Sequence, residues 1–195
     1  PPLPLVTRLR QASAPVYVDY EEGARQAFAH LRGLGHRRIG YIGSARRKLN
    51  GLDPVLAGCR NFLSANGEEL DPMLLADGDD TIEGGRRAAA ILLQRHVTAI
   101  FAANDQTALG VYQRAYAEGR RIPEELSVVG YDDSPLATSV YPLLTSVQTP
   151  FGEIARYTAE GLLRKLDGEN EPLQPRIITP QLIVRNSTAY PSLQS

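Results

Sequence analysis

An α/β fold built on a mainly parallel sheet is predicted by three features of the chain. Short apolar runs with strand character alternate with amphipathic helical stretches. The helical stretches open on capping residues, and most of them close on glycine. Most of the strand-like runs end in amides, carboxylates or a cationic loop, as expected where an open α/β sheet binds ligand beyond its strand ends.

The elements follow in order. Pro15 to Asp19 reads as a strand, and Asp19 with Glu22 three residues on forms a capping-box pattern. Ala24, Ala27, Phe28, Leu31 and Leu34 then fall at helical spacing, and Gly35 suits the position that ends the helix. Arg38 to Ile42 is the next strand, followed by a polar loop from Gly43 to Gly51. Asp53-Pro54 is an N-cap with proline at the first helical position. That helix turns Leu56, Cys59, Phe62 and Leu63 inward and stops at Gly67. Pro72 to Ala76 is a short strand. Asp80 with Glu83 repeats the capping box and opens a helix to about Arg95. A strand over 98–103, a helix from Gln106 to about Glu118 closed by Gly119, and strands over 126–131 and 144–148 follow. Thr149-Pro150 starts a last helix to about Leu166, ended by Gly168. The tail from Arg176 to Arg185 is extended and interrupted by Pro180. The first dozen residues and the helix over 150–166 fit this unit less well and could sit together in a second, incomplete lobe.

Composition narrows the function classes. The chain has 195 residues and a formal net charge of −1, so no broad basic surface is available to hold nucleic acid unaided. Its densest cationic cluster is Arg46-Arg47-Lys48. One cysteine, Cys59, excludes an internal disulfide and a cysteine-based metal site, and it fits a reducing compartment. No apolar run approaches membrane-span length, and no secretory leader is visible. The chain starts at Pro1 without an initiator Met, which reads as the interior of a longer protein. His30, His36 and His96 are not placed with a nucleophile at suggestive spacing, and Gly40 to Gly43 matches neither a dinucleotide fingerprint nor a P-loop. No enzyme, metal site or cofactor is expected.

The strand ends define the candidate site. They deliver the loop from Ser44 to Asp53, then Asp77, Asn104-Asp105, Asp132-Asp133 and Gln148-Thr149. Such groups suit a hydroxyl-rich or amine-bearing small molecule, with Phe101 available as an apolar face. A plainer role exists for each. Asn104 or Asp105 can cap the following helix, Asp53 can cap before Pro54, and Asp132 to Pro135 is a good turn sequence. Spacing alone leaves cap and ligand roles both open.

Four segments also resemble a known family: EGAR (22–25) leading to LGHRRIGYI (34–42), AIFAANDQTALG (99–110), IPEELSVVGYDD (122–133) and LTSVQTP (144–150). Together they resemble the effector-binding core of LacI/GalR-type bacterial transcriptional regulators, over nearly the whole chain. The resemblance implies parallel-sheet three-layer lobes of the periplasmic-binding-protein-like type: one nearly complete lobe plus the remnant of a second. Residues 15–149 and 176–195 are then the C-terminal lobe, and residues 1–14 and 150–175 the remnant of the N-terminal lobe. The helix-turn-helix headpiece and the first part of the N-terminal lobe are absent from this sequence.

By that resemblance Asn104 and Asp132 contact effector, Phe101 stacks on it, and Gln148 lies near the cleft. Lys48, Asn50 and Asp53 belong to a binding loop. Leu109 and Tyr141 match dimer-interface positions. The loop departs from the family pattern, because the Arg that members commonly carry three residues before the Gly matched by Gly58 is Val55 here. The implied function is a cytoplasmic, homodimeric regulator whose sugar-like or nucleobase-like effector controls operator DNA binding through the missing headpiece. The alternatives are a periplasmic sugar-binding receptor of an importer, on the same fold, and an enzyme on a doubly wound sheet.

Overall fold

The computed structural model describes residues 16–44, 53–168 and 174–192. Its strands are β1 (Val16–Val18), β2 (Ile39–Gly43), β3 (Leu75–Asp77), β4 (Ala99–Ala102), β5 (Ser127–Asp132), β6 (Thr145–Gln148), β7 (Arg176–Ile178) and β8 (Gln181–Ile183). Its α-helices are α1 (Tyr20–Gly33), α2 (Pro54–Ala65), α3 (Ile82–Leu93), α4 (Asp105–Ala117) and α5 (Phe151–Leu166).

Six strands form one sheet in the order β3-β2-β4-β5-β6-β8. The first five are parallel, and β8 closes the edge antiparallel to β6. β2, β4 and β5 are almost entirely buried, as a parallel sheet covered on both faces requires. α1 and α2 cover one face over Phe28, Leu31, Tyr41, Phe101, Val129 and Tyr131. α3 and α4 cover the other over Ile42, Leu92, Ile100, Val111 and Val128.

The capping residues explain where the helices start. Asp19 accepts from Glu22 N at 3.0 Å, and Asp53 Oδ1 accepts from Val55 N at 3.0 Å and Leu56 N at 3.2 Å. Gly35, Gly67, Gly119 and Gly168 all follow helices with positive φ. Three expectations are corrected. The Glu22 carboxylate bonds Arg25 and Gln26 instead of completing a capping box. At α3 the cap is Thr81, whose hydroxyl accepts from Gly84 N at 2.9 Å, and Asp80 sits before it at φ 62°. Residues 72–74 form a 3₁₀ turn, so β3 begins only at Leu75.

β1 and β7 pair in parallel as a separate two-stranded sheet, with Ile154 of α5 packed in the same apolar cluster as Val16, Val18 and Ile178. β1 and the first strand of the tail therefore lie outside the six-stranded sheet. Pro180 falls between β7 and β8, where the tail passes from one sheet to the other.

Candidate functional site

β2 is flanked by β3 on one side and β4 on the other, so the chain reverses its direction of travel across the sheet there. The carboxyl ends of β2 and β4 mark the crevice where doubly wound sheets bind ligands.

The register lines up the predicted polar residues along this edge. Phe101 pairs with Val129, and Asn104 and Asp132 each lie three positions beyond that pair. Asp132 is the register partner of Gln148, and Gly43 that of Asp77. Asn104, Asp132 and Gln148 thus follow one another across three neighbouring strands.

Asn104 holds two bonds. Its Oδ1 accepts from Thr107 N at 2.8 Å and caps α4, while Nδ2 donates to Asp80 Oδ1 at 2.7 Å. The half-buried Asn104 is therefore held by both functions at the crevice. Asp80 is 3% exposed. The sequence pattern reads Asp80 as a cap; the signal of its different placement is the DGDD run over 77–80, whose last two residues both have positive φ.

Asp132 ends β5 with φ 101°, and Asp133 follows at φ 51°. Non-glycine residues adopt this region rarely, and they cluster at functional sites. Thr149 supports the position, its N–H donating to the Asp132 carbonyl at 3.4 Å and its hydroxyl lying 3.4 Å from Oδ1. Asp133 is fixed by Arg185 on Oδ1 at 2.7 Å and by Gln148 Nε2 on Oδ2 at 3.0 Å.

Beneath the turn lies Asp105, 2% exposed. Its Oδ1 accepts from the Ser146 hydroxyl at 2.6 Å, and its Oδ2 from Ser134 N at 2.6 Å. Burial pushes its carboxyl up to about 6, against the lowering effect of those hydrogen bonds.

Three sequence-predicted residues make contacts within the protein. Phe101 is fully buried, its ring 5.8 Å from Tyr41, 6.1 Å from Phe28 and 6.3 Å from Tyr131. It is floor, not lining, because α1 and α2 cover the face of the sheet on which it stands. Asp53 caps α2 with Oδ1 and accepts from the Tyr41 hydroxyl with Oδ2 at 2.7 Å, so both oxygens are used within the protein. Gln148 directs its amide to Asp133. Lys48 and Asn50 lie outside the described residues.

A cavity of about 210 Å³ lies at this edge of the sheet between Tyr41, Gly43, Asp53 and Asp77. Leu109 is half-buried on α4. Tyr141 and Tyr116 are 93% and 88% exposed, and Tyr112 of the same helix donates its hydroxyl to the Pro142 carbonyl at 2.9 Å. Tyr112 thus ties the helix to the 140–142 segment, and each of the two carries an exposed tyrosine. Among the described residues, no group of three or more His, Cys, Asp or Glu is placed to hold a metal ion.

Comparison with known proteins gives a consistent result. A periplasmic binding protein-like domain matches residues 28–188. The HTH-type transcriptional regulator CelR of Thermobifida fusca is 38% identical over 175 residues, 88% of this chain and 51% of that protein. A solved transcriptional regulator CelR–cellobiose complex superposes with a TM-score of 0.81 at 36% identity, over 91% of this chain and 57% of that one. A sugar-binding transcriptional regulator of Escherichia coli, solved with phosphate, gives a TM-score of 0.83 at 30% identity, over 95% of this chain and 67% of that one. The chain spans about half the length of the curated relatives it matches.

Proposed function

The chain belongs to the periplasmic-binding-protein-like family, among the effector-binding cores of LacI-type regulators, and from that premise we propose that it senses a small neutral sugar and transmits its presence to operator DNA. The observation that carries this reading is the pairing of Asn104 and Asp132 on neighbouring strand ends at the carboxyl edge of the sheet, beside its switch point. Carboxylates and amides at that edge accept from, and amides donate to, sugar hydroxyls. The cellobiose complex of a regulator similar over most of this chain favours a hydroxyl-rich ligand. The same likeness favours a regulator over the importer-receptor alternative and over an enzyme. A cytoplasmic location goes with that role; no described helix is long and apolar enough to cross a membrane.

The six-stranded sheet with α1 to α4 is the C-terminal lobe in this reading. β1, β7 and α5 belong to the N-terminal lobe, with crossings near Asp19, Thr149 and Pro180. Effector bound between the lobes stabilises one relative orientation of them, and so alters how a homodimer fits a two-fold operator. The dimer face is formed by Leu109, Tyr116 and Tyr141. Asn104 and Asp132 contact effector, with Lys48 and Asn50 contributing from the loop; Phe101, Gln148 and Asp53 act from behind them.

The test is an operator-binding titration of the full-length protein by fluorescence anisotropy, with and without cellobiose and a panel of neutral mono- and disaccharides. Operator affinity that changes with one sugar supports the proposal. Operator binding indifferent to every sugar, with no heat of sugar binding, contradicts the effector class.

A further inference from the structure

We propose that Asp105 is a positioning residue for effector binding: its carboxylate holds the backbone turn that sets the Asp132 side chain at the cleft. The effector part of this inference rests on the function proposed above; the geometry stands independently of it.

Asp105 is not needed as a helix cap, since Asn104 caps α4. The Asp105 carboxylate instead gathers the turn. Ser134 N donates directly to Oδ2 at 2.6 Å. The Ser146 hydroxyl donates to Oδ1 at 2.6 Å and itself accepts from Asp133 N at 3.2 Å. The two backbone N–H groups that follow Asp132 are therefore both tied to one carboxylate, one directly and one through a hydroxyl. This fixes the left-handed conformations of Asp132 and Asp133, which a free chain rarely adopts. Room for the carboxylate is built into the sheet: a Cβ on Gly130 would lie 2.4 Å from Asp105 Oδ1. From the other side Arg185 and Gln148 hold the Asp133 side chain. The turn is thus anchored from α4, from β6 and from the residues after β8, and Asp132 is the half-buried carboxylate it leaves at the strand end.

A buried acid is an expensive way to fill space. Here its two oxygens supply acceptors for two donors that would otherwise be buried beside it. Asparagine can keep both contacts if the Ser146 hydroxyl reverses and accepts, but it cannot titrate. Alanine keeps neither. The charged groups near Asp105 are Asp132 and Asp133 on the turn, with Arg185 paired to Asp133; β6 contributes the neutral Ser146.

The experiment follows the Ser134 amide by NMR in the full-length protein, deuterated and ¹⁵N-labelled, for wild type, Asp105→Asn, Asp105→Ala and Ser146→Ala. In wild type the Ser134 amide proton is expected to lie downfield and to follow the ionisation of Asp105, whose carboxyl burial pushes up to about 6. Asp105→Asn abolishes that titration and keeps slow exchange at residues 133 and 134. Asp105→Ala abolishes it and accelerates exchange at both, and cellobiose affinity falls about tenfold or more. Ser146→Ala, which removes only the hydroxyl, frees the Asp133 amide while Ser134 still titrates, and it keeps the test open if Asp105→Ala does not fold. Asp105→Ala with unchanged exchange at residues 133 and 134, or with unchanged sugar affinity where wild type binds a sugar, overturns the proposal. If wild type binds no sugar while the amides behave as described, the effector reading falls and the role of Asp105 in holding the turn is supported.

Discussion

Asn104 and Asp80 are joined by a 2.7 Å hydrogen bond from Nδ2 to Oδ1, linking the end of β4 to the loop after β3 across the position of β2. The other oxygen of the same amide caps α4. One side chain therefore starts a helix and ties two loops at the switch point of the sheet.

Asn104→Ala removes both bonds. Loss of the cap costs about 1 kcal/mol, and loss of the half-buried hydrogen bond to a carboxylate about 1.5–3 kcal/mol. Urea unfolding is expected to show a loss of roughly 2–4 kcal/mol. Asn104→Asp keeps the cap oxygen but sets a carboxylate against Asp80; it is expected to restore α4 capping and to leave sugar binding impaired.

Tyr41→Phe and Asp53→Ala separate the two jobs of Asp53. The first removes the 2.7 Å phenol bond and is expected to cost about 1–3 kcal/mol. The second also removes the α2 cap and is expected to cost about 1 kcal/mol more. Because Asp53 spends both oxygens inside the protein, Tyr41→Phe is expected to leave sugar affinity within about twofold of wild type, measured by calorimetry.

Stability should carry two opposing pH dependences. Asp105 has its folded value raised from 3.8 to about 6, so its unfolded form ionises first. Its contribution is fully present below about 4, falls as pH rises towards about 6, and is then constant. Burial lowers His30 and His36, which hold the tail through Thr188 at 2.9 Å and the Ala189 carbonyl at 2.9 Å. Their contribution is present above the unfolded value of 6.5 and is lost as pH falls through their lower folded values. Asp105→Asn is expected to remove the first slope only, and His36→Gln to reduce the second; urea midpoints between pH 4 and 8 measure both.

Tyr116→Arg and Tyr141→Arg replace the exposed tyrosines of α4 and the 140–142 segment with a cation. Sedimentation velocity of the full-length protein is expected to show a shift from dimer towards monomer for each, without loss of the thermal transition. A dimer unchanged by both substitutions places the interface elsewhere.

Much of this architecture was readable from local chemistry. Asp19, Asp53 and Asn104 cap as their spacing implies, and the glycines after the helices have the positive φ that ends them. The polar edge was legible because strand ends of a parallel sheet must face one way. What spacing could not convey is which side of a strand a residue takes and who reaches it from elsewhere. Phe101 is buried because Phe28 and Tyr41 stand over it. Gln148 turns to Asp133 because β6 and β5 are in register there. Arg185 reaches Asp133 from the far end of the chain, and Asp105 was open to a capping role until Ser134 and Ser146 were seen on its two oxygens. Asp80 lost its expected cap role to Thr81, one residue on.

The central claim is that effector binds at the carboxyl edge beside the switch point, on Asp132. Asp132→Gly tests it cleanly, since glycine accepts φ 101° without strain and removes only the side chain. Cellobiose and the same sugar panel are titrated by calorimetry into the full-length wild type and this variant, with thermal melts as the check on folding. The account predicts a sugar bound by wild type and bound about tenfold to a hundredfold more weakly by Asp132→Gly, at an unchanged melting temperature. Equal affinity in the two proteins would contradict it.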